Sequence, residues 1–469
     1  MDNSGEKIYN VLLLSFSFMF VFTGFQTCGM VEQTVLNSYI NDTKDIHGQP
    51  TYHGDGYTSL AIIYTVFAFS NWLAPSVVSI IGSKYSMMIG ATLYVLYLAT
   101  FIKPLTWTLY LGSVLIGIGG AVLWTGQGVF LTKNSTSDTM GRNSGIFWAI
   151  LQGSCLIGNM YVFFAWQGIT NIGDSQRIPL YIGLTAISAF GVVCMAFLKT
   201  KNHTESLEND LEVSENTESN NETENKPLLE ENEEGSKLEE AYSMFKKSIR
   251  LLTTKNMILL SVTFFYTGLE LTFFSGVYST AVGATKQFGS DSDRLVGLVG
   301  IMIGIGEIVG GLTFGIFGKK TVKYGRDPII LMGGVLHFVA FFLIFLNLPS
   351  DAPIAKDGTM NTGYITPISE LAIACGFLLG FCDACYNTQC ISLIGVTYPN
   401  NSAEAFAVFK FMQCLAAAAG FFYSSYLQLQ YQLLILVLFN FAGMLSFITV
   451  ETRLKHENKI LSNHHDVPE

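Results

Sequence analysis

Apolar residues gather along the chain into long runs separated by short polar connections. The runs lie at about 8–36, 57–82, 84–104, 106–132, 141–168, 178–198, 256–283, 294–317, 328–348, 367–395, 403–427 and 431–451. About 20 mainly apolar residues carry an α-helix across a hydrocarbon core roughly 30 Å thick. Twelve membrane-crossing helices are therefore predicted. Most are interrupted by Gly or small polar residues, as expected where helices pack closely on one another.

One stretch breaks the pattern. Residues 199–250 include NHTESLENDLEVSENTESNNETENKPLLEENEEG, which is polar, acidic and nearly free of aromatics. Such a segment cannot bury enough apolar surface to offset its ordering entropy. The expected division is a six-helix half over 1–198, a disordered acidic cytoplasmic linker over 199–250, a second half over 251–455 and a cytoplasmic tail over 456–469.

The halves carry a faint repeat. FTGFQ (22–26) corresponds to YTGLE (266–270), each in the first helix of its half. SNWLAPSVVSIIGSK aligns with GEIVGGLTFGIFGKK and sets Asn71 opposite Glu307. MIGATL matches LMGGVL. FWAILQ matches FKFMQ and sets Gln152 opposite Gln413. Four matches in one order point to parallel repeats about an axis along the membrane normal.

Charge adds orientation. The net charge of −10 is local, because residues 202–240 hold 14 Asp/Glu and 2 Lys. With both termini cytoplasmic, the inner segments carry 19 Lys/Arg and the outer loops 6, while Lys410 lies within a span. The positive-inside rule favours that orientation. All eight cysteines fall in apolar stretches, and the Cys382/Cys385 pair has no second pair beside it. They read as small buried hydrophobes. No disulfide framework, metal site or cofactor is expected. The first apolar run outlasts a signal-peptide core and lacks its cleavage site. GIGGAVLWTGQG and GIGIGEIVGG are glycine-rich, but they lie inside spans and read as packing surfaces. Neither enzymatic activity nor nucleic-acid binding is indicated.

Polar residues at mid-depth are the candidates for function: Gln26, Glu32, Asn71, Trp124, Gln127, Gln152, Glu270, Glu307, Asp383, Asn387, Gln389, Lys410 and Gln413. An ionised carboxylate at a helix centre costs about 2.5–3.5 kcal/mol on insertion scales. Glu270 stands in FFYTGLELTFFSG (264–276), surrounded by aromatic and aliphatic residues. It can be a proton or cation carrier, since burial disfavours the charged form of a carboxylate. Alternatively it belongs to a fixed network, with Lys410 as counter-ion. Glu307 and Asp383 carry the same two readings, and Glu32 is expected near the outer surface. Lys410 reads as snorkelling or as paired with Asp383 or Glu307, and His337 as an internally bonded histidine.

Twelve helices in two halves around an acidic loop resemble the major facilitator superfamily, and GIFGKKTVKYGRDP (315–328) looks like a stretched form of its loop signature. The first-half counterpart SIIGSKYS (79–86) lacks the Asp, Arg and Gly-Arg parts. GYTSLAIIY (56–64), GRNSGIFWAILQ (141–152), YTGLELTFFSGVY (266–278), GIGEIVGG (304–311), LIFLNLPSDAPIA (343–355) and FAVFKFMQ (406–413) resemble the UNC-93-like branch. The resemblance implies an all-α membrane protein of the twelve-helix facilitator fold, with helices 1, 4, 7 and 10 lining a central cavity. It also implies two functional classes. One is a secondary transporter of a small solute, with or without ion coupling. The other is a non-transporting subunit that regulates an ion channel or directs a receptor's traffic.

Two motifs concern location. Of the Asn-x-Ser/Thr sequons at Asn41, Asn134, Asn202, Asn221 and Asn400, only Asn41 falls on the outer side in this topology. ENKPLLE, with Glu224, Leu228 and Leu229, resembles the acidic dileucine signal read by adaptor complexes. An endolysosomal membrane is expected, with the plasma membrane as the alternative.

Overall fold

A computed structural model describes residues 4–43, 51–165, 173–200, 233–289, 292–316, 325–355, 358–424 and 426–465. Among them the chain is helical apart from one isolated bridge, Thr285 to Thr359. The first group of helices is α1 (Ser4–Asp42), α2 (Gly56–Ser70), α3 (Ala74–Ile81), α4 (Ser83–Thr100), α5 (Thr106–Lys133), α6 (Met140–Ala165) and α7 (Asp174–Ala196). Next comes α8 (Glu233–Leu252). The second group is α9 (Lys255–Thr272), α10 (Tyr278–Ala284), α11 (Ser292–Ile316), α12 (Asp327–Asn347), α13 (Ser369–Thr397), α14 (Ser402–Ser424) and α15 (Leu429–His465).

Ten of the described helices are long and apolar enough to cross a membrane, and the α2–α3 pair makes an eleventh. With 18 residues that include Lys84 and three tyrosines, α4 falls outside that group. It packs between α5 and α7 and completes twelve passes. The bend of 66° between α2 and α3 follows from the local sequence. Pro75 sits in the first turn of α3, where its missing N–H costs nothing but would break a continuous helix. Asn71 closes the last turn of α2 by donating from Nδ2 to Phe67 O at 2.8 Å. Helix α9 runs into α10 through a π-helical segment, Phe273–Val277. Such segments shift the faces of the helix on either side and occur often at functional sites.

Helix pairing repeats between the groups. In the first, α1 packs on α6 and α7, α4 on α5 and α7, and α2 on α5. In the second, α9 packs on α14 and α15, α12 on α13 and α15, and α11 on α13. These are the same pairs in the same order, so the two bundles are parallel repeats. They meet along two seams, α6 against α11 and α2 against α14. Glycines set the closest approaches. Gly306 and Gly310 of α11 lie against Phe377, Phe381 and Ala384 of α13, Gly376 and Gly380 of α13 lie against Val299 and Ile303 of α11, and a Cβ at Gly380 would lie 2.0 Å from Ile303 O. Small residues four apart allow this backbone contact. It places Glu307 and Asp383, each beside its glycine pair, on adjoining surfaces.

One expectation needs correction. The linker is not disordered throughout, since residues 233–252 form α8, whose Phe245 ring meets Trp72 of the α2–α3 break. Its mixed sequence folds because its apolar side has α3 and α14 to cover. Helix α15 runs on to His465, into the segment expected to be a cytoplasmic tail. Residues 201–232, with Glu224, Leu228 and Leu229, lie outside the described residues.

Candidate functional site

Between the seams lies a cavity of about 110 Å³ lined from both bundles. That is room for a small organic molecule rather than a lone ion. Its walls are largely aromatic: Phe22, Tyr64, Tyr94, Trp124, Trp148 and Phe274 are among them. The extra residue of the π-helical segment brings Phe274 and Ser275 to this surface.

Eight of the thirteen sequence candidates line the cavity: Gln26, Trp124, Gln152, Glu307, Asp383, Asn387, Lys410 and Gln413. They form two polar groups. On the first bundle, Gln26 Nε2 donates to Gln152 Oε1 at 3.0 Å, and Ser154 Oγ donates to Gln26 Oε1. On the second, Gln413 Nε2 donates to Thr267 Oγ1 at 3.1 Å and to Asn387 Oδ1 at 3.3 Å. Asn387 Nδ2 donates to Asp383 Oδ1 at 2.7 Å. The repeat is visible here, because Gln152 bonds Gln26 of the 22–26 motif and Gln413 bonds Thr267 of the 266–270 motif.

Two of the contacts between the bundles involve the charged residues of the cavity. Trp148 Nε1 donates to Glu307 Oε2 at 2.6 Å, joining α6 to α11. Lys410 Nζ lies 4.1 Å from the centre of the Trp124 ring, joining α14 to α5. Lys410 also donates to Gln413 Oε1 at 2.7 Å. A desolvated cation over an indole face contributes about 2 kcal/mol. Lys410 is thus held by an aromatic ring and an amide. Of the two readings of Lys410, direct pairing with Asp383 or Glu307 is not seen; it makes these two contacts instead.

Glu307 and Asp383 are themselves partners. Both are buried, both line the cavity, and they stand on α11 and α13, which pack against each other. Glu307 Oε1 and Asp383 Oδ2 have no N–H or O–H donor. Two like charges in contact cannot both persist in a site of low dielectric.

The other five candidates lie away from the cavity. Glu270 faces α12, where Oε1 is 2.8 Å from His337 Nε2, although the ring N–H is not aligned for a hydrogen bond. His337 Nδ1 meets the Tyr266 hydroxyl at 2.7 Å. Glu270 therefore has His337, not Lys410, as its neighbour. Glu32 is fully buried, and the Tyr97 hydroxyl donates to both its oxygens at 3.0 Å. Asn71 caps α2, Gln389 Nε2 donates to Thr388 at 3.1 Å, and Gln127 is buried beside the seam with Nε2 unpaired. Sequence reasoning gave Trp148 no role. Its signal was its spacing: four residues before Gln152, it shares a helix face with it. Among the described residues no cluster of His, Cys, Asp and Glu could hold a metal.

Two bundles in parallel repeat around a central polar cavity define a membrane protein of the major facilitator fold. Solved structures agree. The proton:xylose symporter XylE bound to 6-bromo-6-deoxy-D-glucose superposes with a TM-score of 0.62, at 11% identity over 95% of each chain. The E. coli fucose:proton symporter FucP superposes at 0.58, with 13% identity, over 94% of this chain and 98% of its own. Residues 48–448 match the family model described as "Ion channel regulatory protein UNC-93". The chain is 48% identical to the UNC93-like protein MFSD11 of Xenopus tropicalis, over 98% of this chain and 99% of that one. It is 25% identical to UNC93-like protein 3 of Arabidopsis thaliana, over 91% of this chain and 82% of the relative. The chain belongs to the UNC-93 family.

Proposed function

We propose that this protein is a secondary transporter that moves a small solute by alternating access around the central cavity, with the Glu307–Asp383 pair as its proton-exchanging group. The observation that carries this reading is the double engagement of Glu307. Its Oε2 accepts the Trp148 bond from the opposite bundle, while its Oε1 is buried without a donor on the cavity wall that Asp383 also lines. Hydrogen bonds to an ionised acceptor are roughly twice as strong as neutral ones. Moving the proton onto Glu307 weakens the seam, and removing it strengthens the seam. Occupancy of the site and the contact between bundles are thereby linked, as alternating access requires. Lys410 on Trp124 serves as the second crossing contact.

Purified protein in proteoliposomes containing a pH-sensitive dye tests this against a panel of amines, carboxylates and sugars. The parent should change the internal pH with at least one solute, and Glu307→Gln should not. A parent silent toward the whole panel would count against transport.

The family description favours a second reading, in which the fold acts as a regulatory or trafficking subunit for an ion channel or receptor. Fold does not decide between them. Co-purification of a stoichiometric channel or receptor subunit, with no solute-driven flux, supports the second.

A further inference from the structure

Glu307 Oε1 and Asp383 Oδ2 are buried acceptors without an N–H or O–H donor, and both side chains line the cavity. Aromatic faces surround them. Phe22, Tyr64, Tyr94, Trp124, Trp148 and Phe274 line the same space. Two orphaned carboxylate oxygens ask for a donor with at least two N–H groups. An aromatic enclosure favours a cation, whose charge is attracted to ring faces within about 6 Å. A protonated amine supplies both. Sugars and other neutral polyols fit less well, since most of the lining is aromatic or aliphatic.

We infer that the cavity takes a protonated primary or secondary amine with a mainly apolar body, bound to the Glu307–Asp383 pair in exchange for a proton. The step balances. In the unliganded site the pair holds one proton and one negative charge. The ammonium's N–H groups replace that proton, which leaves to water, and no covalent bond forms or breaks. The pair then carries two negative charges against one positive charge, so the site keeps its net charge. This inference rests on the transport reading for its purpose, but its binding claim stands separately.

Lys410 sets the orientation. Its ammonium is held by Gln413 and Trp124 and repels a second cation from that end. Other ionisable groups near the pair are Glu270 and Tyr266 on α9, Cys382, Cys385 and Cys390 on α13, Cys414 on α14, Cys155 on α6, Tyr64 on α2 and Tyr94 on α4. The thiols and phenols are neutral near pH 7. Glu270 lies outside the cavity against His337, so the two acids and Lys410 set the charge that a ligand meets.

The test is calorimetric binding to purified full-length protein in detergent. Three probes of similar shape are used: phenethylamine, 2-phenylethanol and 3-phenylpropionate. Phenethylamine should bind best. Titration in buffers of different ionisation enthalpy should show one proton released per amine, and affinity should fall about tenfold for each unit of acidification while the pair is protonated. Glu307→Gln and Asp383→Asn should each weaken the amine about ten- to a hundredfold, the loss of a hydrogen bond to a charged group, and abolish proton release. The pH dependence of the parent needs no variant, so a poorly folding variant does not remove the test. Tighter binding of 3-phenylpropionate, equal binding of 2-phenylethanol, or amine binding without proton release would overturn the inference. Amine binding without flux in liposomes would support it while contradicting transport. Carboxylate- or sugar-driven flux without amine binding would do the reverse.

Discussion

Glu270 shows how far a single residue can be read from a sequence. Its burial was legible, because an acid amid aromatic residues at mid-span has few alternatives. Its direction was not. A helical residue turns about 100° from its neighbour, and the π-helical segment just beyond it shifts the faces again. Glu270 consequently looks at His337 rather than into the cavity, while Glu307 and Asp383 look inward. This geometry predicts a coupling. Glu270→Leu and His337→Leu should each lower the thermal unfolding midpoint, since each leaves a buried polar partner unpaired at about 1–3 kcal/mol. The double variant should lose less than the two singles combined. Adding Lys410→Met to Glu270→Leu should restore nothing, because Lys410 contacts Gln413 and Trp124 instead. Midpoints of the four proteins in detergent decide the matter, and simple additivity of the two Leu changes would refute the pairing.

Elements were easier to read than their interruptions. Long apolar runs marked the crossings, and the order of weak matches marked the repeat that the helix pairing displays. The α2–α3 bend was signalled only by Pro75, which also fits an unbroken helix start. Helix α8 stayed hidden because its charged side resembles the acidic segment before it, and its apolar side gains meaning only beside α3 and α14. Packing of α11 on α13 carries a graded prediction. A methyl at Gly376 would meet Val299 O at 3.2 Å, whereas one at Gly380 would meet Ile303 O at 2.0 Å. Gly376→Ala should fold near the parent level. Gly380→Ala should push the helices apart, separate Glu307 from Asp383 and sharply reduce the yield of monodisperse protein. Size-exclusion profiles of the two variants provide the comparison, and equal profiles would contradict the close approach.

At the scale of the whole molecule, topology and address follow from features outside the cavity. Asn41 is the next-to-last residue of α1. With cytoplasmic termini, it is the one sequon open to glycosylation, so Asn41→Gln should remove any glycosidase-sensitive shift on a gel. A glycan at Asn202 or Asn221 would invert the orientation. The dileucine segment predicts adaptor-directed residence in endolysosomal membranes. Leu228→Ala with Leu229→Ala should move the protein to the plasma membrane in imaging, and an unchanged distribution would remove the motif's role.

Whether the bundles rock against one another is the central question. At one end of the cavity Tyr57 bonds Thr280 at 2.9 Å across the α2–α10 contact. At the other, the Trp72 and Phe411 rings lie 4.7 Å apart. Spin labels at Thr58→Cys with Lys286→Cys report the first end, and labels at Leu73→Cys with Asn401→Cys report the second. All four positions are exposed, and seven of the eight native cysteines are buried. Pulsed electron resonance should show the two distances changing in opposite directions as pH is lowered, with E307Q held in one of the two arrangements. Single distances at both ends, unmoved by pH and by E307Q, would describe a rigid scaffold and contradict transport by alternating access.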